Sequence, residues 1–324
     1  MTALNPSIST ESAMKSPISL SVAGLLLALA LLPQTRAADP IKVFLLAGQS
    51  NMEGQGVVSM DDPKNYNGGK GNLVWSMEHS ASKDKMRHLR DSANGAWTVR
   101  DDVTISFKAR DQVRKGGLTI GYTGYGGFSH IGPELQFGHV IGDFFQEPVL
   151  LIKTAWGGKS LFKDFRPPSA SGETGPYYTQ MIAESREALA ALNGAPYEIA
   201  GFIWQQGWND MIDAAATAEY AENLVLLAKD IRAEFRRPDL PIVVGELGNS
   251  GPAKEGTGMA KFRAAQREGA SRIAHCLFVE THAFARPAEL SPNTGHGHHW
   301  FGNAESYFLV GEALGEGMKQ LLKN

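Results

Sequence analysis

The chain has 324 residues, 43% of them hydrophobic and 20% charged, which is ordinary globular composition with enough apolar residues for a sizeable core. Its 31 basic and 34 acidic residues are well mixed and leave a net charge of −3, so there is no basic stripe of the kind nucleic-acid binding needs. The single cysteine, Cys276, excludes an intramolecular disulfide, and in the apolar run "AHCLFVE" it reads as a buried, inert thiol.

The first segment differs from the rest. Lys15 precedes "SPISLSVAGLLLALALLP", an apolar stretch too short to span a bilayer comfortably. "TRA" at Thr35–Ala37 then supplies small residues at the two positions a signal peptidase reads. Residues 1–37 are predicted to be a secretory signal cut after Ala37, leaving a secreted or periplasmic domain over 38–324 with no membrane association.

Five apolar runs read as buried strands: Ile41–Ala47, Pro148–Thr154, Glu198–Trp204, Pro241–Leu247 (interrupted by Glu246) and Ala274–Glu280. "VLLIKT" and "VVGEL" lack period-2 alternation, as expected of parallel strands covered on both faces. Helical patterns separate them. Tyr178, Met181, Ile182, Ser185, Leu189 and Leu192 keep a 3.6 period and stop at Asn193-Gly194. Tyr220, Leu224, Leu227, Ile231 and Phe235 repeat the pattern, and residues 132–145, 258–272 and 303–322 supply further helices. The alternation predicts one α/β domain, a three-layer α/β/α sandwich. Residues 56–130, rich in Gly, Asn, Asp and Lys and with short strand-like pieces such as "AWTVRDDVTISF", break the rhythm and read as a loop-rich insertion on the binding rim.

The chemistry gathers at strand ends. "KVFLLAGQSNMEGQG" (42–56) places Ser50 directly after the first strand, where open parallel sheets bind ligands and where Gly48 permits a tight turn. Position alone equally allows Ser50 to be only a helix cap. Four motifs in order sharpen the reading: "GQSNM", "KTAWGGKSL" (153–161), "WQQGWND" (204–210) and "HHWFGNAESYFLVGEALGEGM" (298–318). Together they resemble the sialate O-acetylesterase-like carbohydrate esterases of the SGNH hydrolase superfamily.

The resemblance implies a flavodoxin-like SGNH hydrolase fold with a five-stranded parallel sheet in the order 2-1-3-4-5, which sets Ser50 beside Gln206. It implies a serine esterase removing O-acetyl groups from carbohydrates, either acetylated polysaccharide or sialic acid, with no cofactor and no metal. Ser50 would be the nucleophile and His299 the base, with His298 as the rival. The Ser50 and Gly132 N–H groups and the Gln206 amide would form the oxyanion hole. Gln49, Asn51 and Trp208 would contact substrate. Asp210 reads as an organiser of its turn.

Two departures from the family pattern stand out. Trp208 occupies a position where the family often has glutamate. His296 stands three residues before His299, where many superfamily members have aspartate. The site is then a Ser–His pair, or another carboxylate steers the imidazole, with Glu280 as the candidate. His296, His298 and His299 lack the regular spacing of a zinc site. Lys153 and Lys159, flanking the second strand's end, read as solvated. Two other classes remain at this point: a carbohydrate-binding protein without turnover, and a lipid or aryl esterase.

Overall fold

The computed structural model describes residues 39–109, 112–125 and 129–323; the predicted signal segment lies outside them. In chain order the strands are β1 (Ile41–Gly48), β2 (Gly56–Val57), β3 (Arg100–Ala109), β4 (Gln112–Leu118), β5 (His130–Ile131), β6 (Val149–Ala155), β7 (Tyr197–Gln205), β8 (Ile242–Gly245) and β9 (Cys276–Val279). The helices are α1 (Ser50–Glu53), α2 (Leu73–His79), α3 (Glu134–Gly142), α4 (Pro176–Ala190), α5 (Trp208–Met211), α6 (Ala214–Glu234), α7 (Gly258–Ser271) and α8 (Ala304–Leu322).

The main sheet runs β4-β3-β6-β1-β7-β8-β9. The five strands read from the sequence occupy its parallel part in the expected relative order. The expectation of a five-stranded, all-parallel sheet is corrected to a mixed sheet of seven: β3 adds parallel to β6, and β4 returns antiparallel to β3. Both extra strands come from the 56–130 segment, which is therefore partly sheet. In β3 the buried Val103, Ile105 and Phe107 alternate with Thr104, Ser106 and Lys108, the pattern of a strand at a half-covered position. β3 covers most of the strand-like piece "AWTVRDDVTISF" of the sequence.

Side chains of β1 divide between two cores. Val43, Leu45 and Ala47 face α4, α6 and α7 through Tyr178, Tyr220 and Phe262. Phe44 and Leu46 face α3 and α8 through Phe137 and Phe308. Burial of each large apolar side chain contributes roughly 1.5–3 kcal/mol, and β1, covered on both faces, is the best anchored strand.

Register positions the site. Gly48, the last residue of β1, pairs with Ala155 of β6 on one side and Gln205 of β7 on the other. A Cβ on Gly48 would lie 2.1 Å from the Gln205 carbonyl oxygen, so only glycine allows this approach. The residues after the three strands, Gln49-Ser50, Trp156-Gly157 and Gln206-Gly207, therefore emerge at one point on the carboxyl rim of the sheet.

Candidate active site

Ser50 is the first residue of α1 and is 4% exposed. As the first N–H of a helix, its amide has no intrahelical acceptor. Its Oγ lies 3.0 Å from His299 Nε2, across 249 positions of sequence. Gln55 Nε2 lies 3.2 Å from the same ring nitrogen. Since the Gln55 amide donates, His299 Nε2 accepts, and the ring proton sits on Nδ1. That tautomer is the one a general base for Ser50 requires.

His299 is held by a strained turn. Residues 297–302 form a short 3-10 stretch in which Trp300 (φ 53°) and Phe301 (φ 54°) are consecutive left-handed residues, neither of them glycine. Such conformations cost of order 1–3 kcal/mol each and persist where surrounding packing over-determines them. Here Trp300 is 2% exposed in the α3–α8 core. Asn51 Nδ2 donates to the His298 carbonyl at 3.1 Å, and Tyr307 Oη donates to Asn51 Oδ1 at 2.9 Å. Asn51 thus ties the serine turn to the histidine turn. Each end of its amide thus has a protein partner.

Gln49 is likewise structural. Its Oε1 accepts from Gln206 Nε2 (3.1 Å) and from the Gly207 N–H (3.0 Å), and it is 2% exposed. Gln206 does stand beside Ser50's strand, as expected, but its amide is turned elsewhere: Nε2 also donates to Asp210 Oδ2 (2.5 Å) and the Lys159 carbonyl (2.9 Å). Asp210, wholly buried, further accepts from the Leu161 and Phe162 N–H groups, both at 2.9 Å. Burial pushes its carboxyl up to about 6. It pins the loop after β6 to α5, the organising role read from the sequence.

The Gly132 N–H is not available to an oxyanion either, because it donates to Glu134 Oε1 at 3.0 Å. The backbone that does border Ser50 is that of Gly157. A Cβ there would come within 3.7 Å of Ser50 Cβ, 3.0 Å of Tyr125 Oη and 3.4 Å of Glu53 Oε2. Trp208 is half-buried, its ring 5.5 Å from that of His298.

Over residues 40–320 the chain matches the family described as carbohydrate esterase, sialic acid-specific acetylesterase. The chain belongs to this family. A probable carbohydrate esterase of Arabidopsis thaliana, At4g34215, is 24% identical to it over 215 residues, 65% of this chain and 71% of that protein. The crystal structure of that Arabidopsis protein shares the fold with a TM-score of 0.56 at 17% identity, covering 87% of this chain and 99% of that one. XAC1771, a carbohydrate acetylesterase from Xanthomonas citri, gives a TM-score of 0.54 at 15% identity, covering 87% and 57%. The protein is accordingly a carbohydrate O-acetylesterase, which decides against the binding-protein and lipid-esterase classes.

Among the described residues, no carboxylate bonds to the histidine. His299 Nδ1 is buried with no partner among the described residues. Glu280 is half-exposed and pairs with Arg267 at 2.5 Å, which corrects its assignment as the orienting acid. His296 stands at the usual acid position with its ring centroid 6.3 Å from that of His299. Burial, reinforced by the neighbouring rings of His298 and His296, pushes the His299 imidazole down to about 3. It is neutral near pH 7.

Two buried polar clusters escaped the sequence reading. Lys153, expected in solvent, is 1% exposed. Its Nζ donates to Glu134 Oε2 (2.8 Å), the Tyr122 carbonyl (2.7 Å) and the carbonyl of Glu53, the last residue of α1 (2.9 Å). Burial lowers its pKa while the Glu134 carboxylate opposes that shift. This pair props the serine helix from beneath. The second cluster centres on Glu246, 2% exposed at the end of β8, which accepts from the Thr281 and His282 N–H groups and from His282 Nδ1 at 2.8 Å. The one signal for it in the sequence is a charged residue interrupting the apolar run "VVGEL".

Proposed function

We propose that the esterase works through a Ser50–His299 dyad on acetyl esters of sugar hydroxyls, supported above all by the 3.0 Å approach of Ser50 Oγ to His299 Nε2. Ser50 Oγ bonds to the acetyl carbonyl carbon while its proton passes to His299 Nε2. The oxyanion forms beside the free Ser50 N–H and the Gly157 backbone; each such donor is typically worth about 3–4 kcal/mol. Collapse breaks the bond to the sugar oxygen, which takes the proton from His299. Water then gives a proton to His299 as it attacks acetyl-Ser50, acetate leaves, and Ser50 Oγ is reprotonated.

The parallel strands β6-β1-β7-β8-β9, with Ser50 following the central one, support assigning the sheet to the flavodoxin-like SGNH type. We further propose export directed by residues 1–37, on the strength of the short apolar run after Lys15. The mechanism is tested by p-nitrophenyl acetate hydrolysis. Ser50→Ala and His299→Ala should each lose about a thousandfold or more in kcat, with His298→Ala keeping most of it. Retained turnover in Ser50→Ala would remove the proposed nucleophile.

A further inference from the structure

Nothing on the Nδ1 side sets the rotation of the His299 ring, because that nitrogen is buried and has no partner among the described residues. In a Ser-His-Asp triad a carboxylate does this, holding the tautomer and stabilising the imidazolium. The titratable groups acting on the ring are His298 and His296, at centroid distances of 4.0 and 6.3 Å, and neither supplies an anion. The polar side chains that reach the ring do so at Nε2: Ser50 Oγ at 3.0 Å and Gln55 Nε2 at 3.2 Å.

Gln55 is delivered to the ring by its backbone. It sits between Gly54, left-handed at φ 95°, and Gly56, the first residue of β2. A Cβ on Gly54 would lie 2.6 Å from Gly132 Cα, so only glycine lets this segment pack against the chain entering α3. The Gln55 N–H bonds to Tyr307 Oη, which also bonds to Asn51 Oδ1 and to the His299 carbonyl. Gln55 is 8% exposed, and its Oε1 bonds to none of the described residues.

One lone pair on Nε2 thus receives two donors, the Ser50 hydroxyl and the Gln55 amide. When Ser50 Oγ bonds to the acetyl carbon, its proton passes to Nε2, which turns from acceptor into donor. The Gln55 N–H would then face an N–H. A half-turn about the last side-chain bond, a soft torsion, brings Oε1 there instead, an acceptor with no bond to lose. A hydrogen bond to an ionised group is stronger than one between neutral groups, so the turned amide favours the imidazolium. We propose that Gln55 is a positioning residue for the base: its amide donates to the neutral ring, fixing the tautomer and the aim of Nε2, and, turned over, accepts from the imidazolium. These are the two tasks a carboxylate performs in a triad. Gln55 itself neither gains nor loses a proton. The inference rests on the Ser50–His299 reading of the site.

The test is p-nitrophenyl acetate hydrolysis by Gln55→Met and Gln55→Glu across pH. Methionine keeps the length and packing of glutamine but has no N–H and only a weak acceptor. Its kcat should fall about 10–100-fold with KM within twofold of wild type. Glutamate accepts but does not donate, so it draws the ring proton to Nε2, the wrong tautomer for a base. In Gln55→Glu, kcat should fall about tenfold or more, and the acidic limb of kcat/KM should rise by about one pH unit or more as the anion favours the imidazolium. Should Gln55→Met fail to fold in a urea titration, Gln55→Glu, which keeps the shape of glutamine, carries both readouts. A kcat within twofold of wild type in either folded variant, or a limb unmoved in Gln55→Glu, would overturn the proposal. Ser50→Ala is assayed in parallel. Turnover retained there removes the Ser50 mechanism; an inactive Ser50→Ala beside fully active Gln55 variants removes the role of Gln55 alone.

Discussion

Asn51 Nδ2 donates to the carbonyl oxygen of His298, joining the turn that presents the nucleophile to the turn that presents the base. The two turns come from opposite ends of the chain and meet on one rim only because β1 is central and α8 packs across its α3 side. Loss of that link should therefore show in turnover more than in binding. Asn51→Ala should lower kcat for p-nitrophenyl acetate by about 10–100-fold with KM nearly constant. It also removes the 2.9 Å acceptor of Tyr307 Oη and leaves it only the His299 carbonyl at 3.3 Å, at a cost of about 0.5–1.5 kcal/mol in urea unfolding. A kcat within twofold of wild type would mean the turns hold their geometry without it.

The pH profile should be unusual for a histidine base. His299 must be unprotonated to accept the serine proton, and its pKa is pushed down to about 3. The acidic limb of kcat/KM should thus lie well below the value of about 6.5 for an unperturbed histidine, with flat activity above it. His296→Asp would set an anion near the ring, favour the imidazolium, and move the limb to higher pH. A wild-type limb near pH 6.5, or a limb unmoved in the variant, would contradict this account.

Lys153 and Glu134 form an ion pair at 2.8 Å with both side chains almost wholly out of solvent. Breaking one side leaves an uncompensated buried charge, so Lys153→Met should cost about 3–5 kcal/mol in denaturant unfolding. Lys153→Met combined with Glu134→Gln removes both charges and should recover a large part of that loss. Since Lys153 also holds the Glu53 carbonyl at the end of α1, the double variant should regain stability without regaining full kcat. Equal stabilities of single and double variants would argue that the pair is not coupled.

Export directed by residues 1–37 is a proposal with a direct readout. Expression of the full chain in a secreting bacterial host should yield a mature protein whose N-terminal sequence starts at Ala38, as Edman degradation or intact mass would show. A product retaining residues 1–37 would reject the predicted cleavage.

Much of the scaffold was readable beforehand because parallel strands covered on both faces are apolar without interruption, as in β1 and β6. The Ser50–His299 encounter was readable through short motifs placed at strand ends. What failed shares a cause: side-chain hydrogen-bond partners that show only in the folded chain, whether near in sequence or far from it. Gly132 looked like an oxyanion donor until Glu134 took its N–H. Gln206 was placed beside Ser50, yet Asp210 and Gln49 turn its amide away. Lys153 looked solvated because its carboxylate partner lies on α3, before its own strand. Glu280 and Glu246 both end strands, and only packing shows that the buried one serves His282 while the other faces Arg267. β3 was legible as the strand-like piece "AWTVRDDVTISF", but not that it would pair with the open edge of β6 and join the main sheet.

The paired left-handed backbone at Trp300 and Phe301 sets a limit on engineering this enzyme. Phe301→Gly would relieve the conformational penalty and is an obvious thermostabilising choice. The same relaxation would let the imidazole two residues upstream wander from Ser50, so heat tolerance gained at this turn should be repaid in lost catalysis.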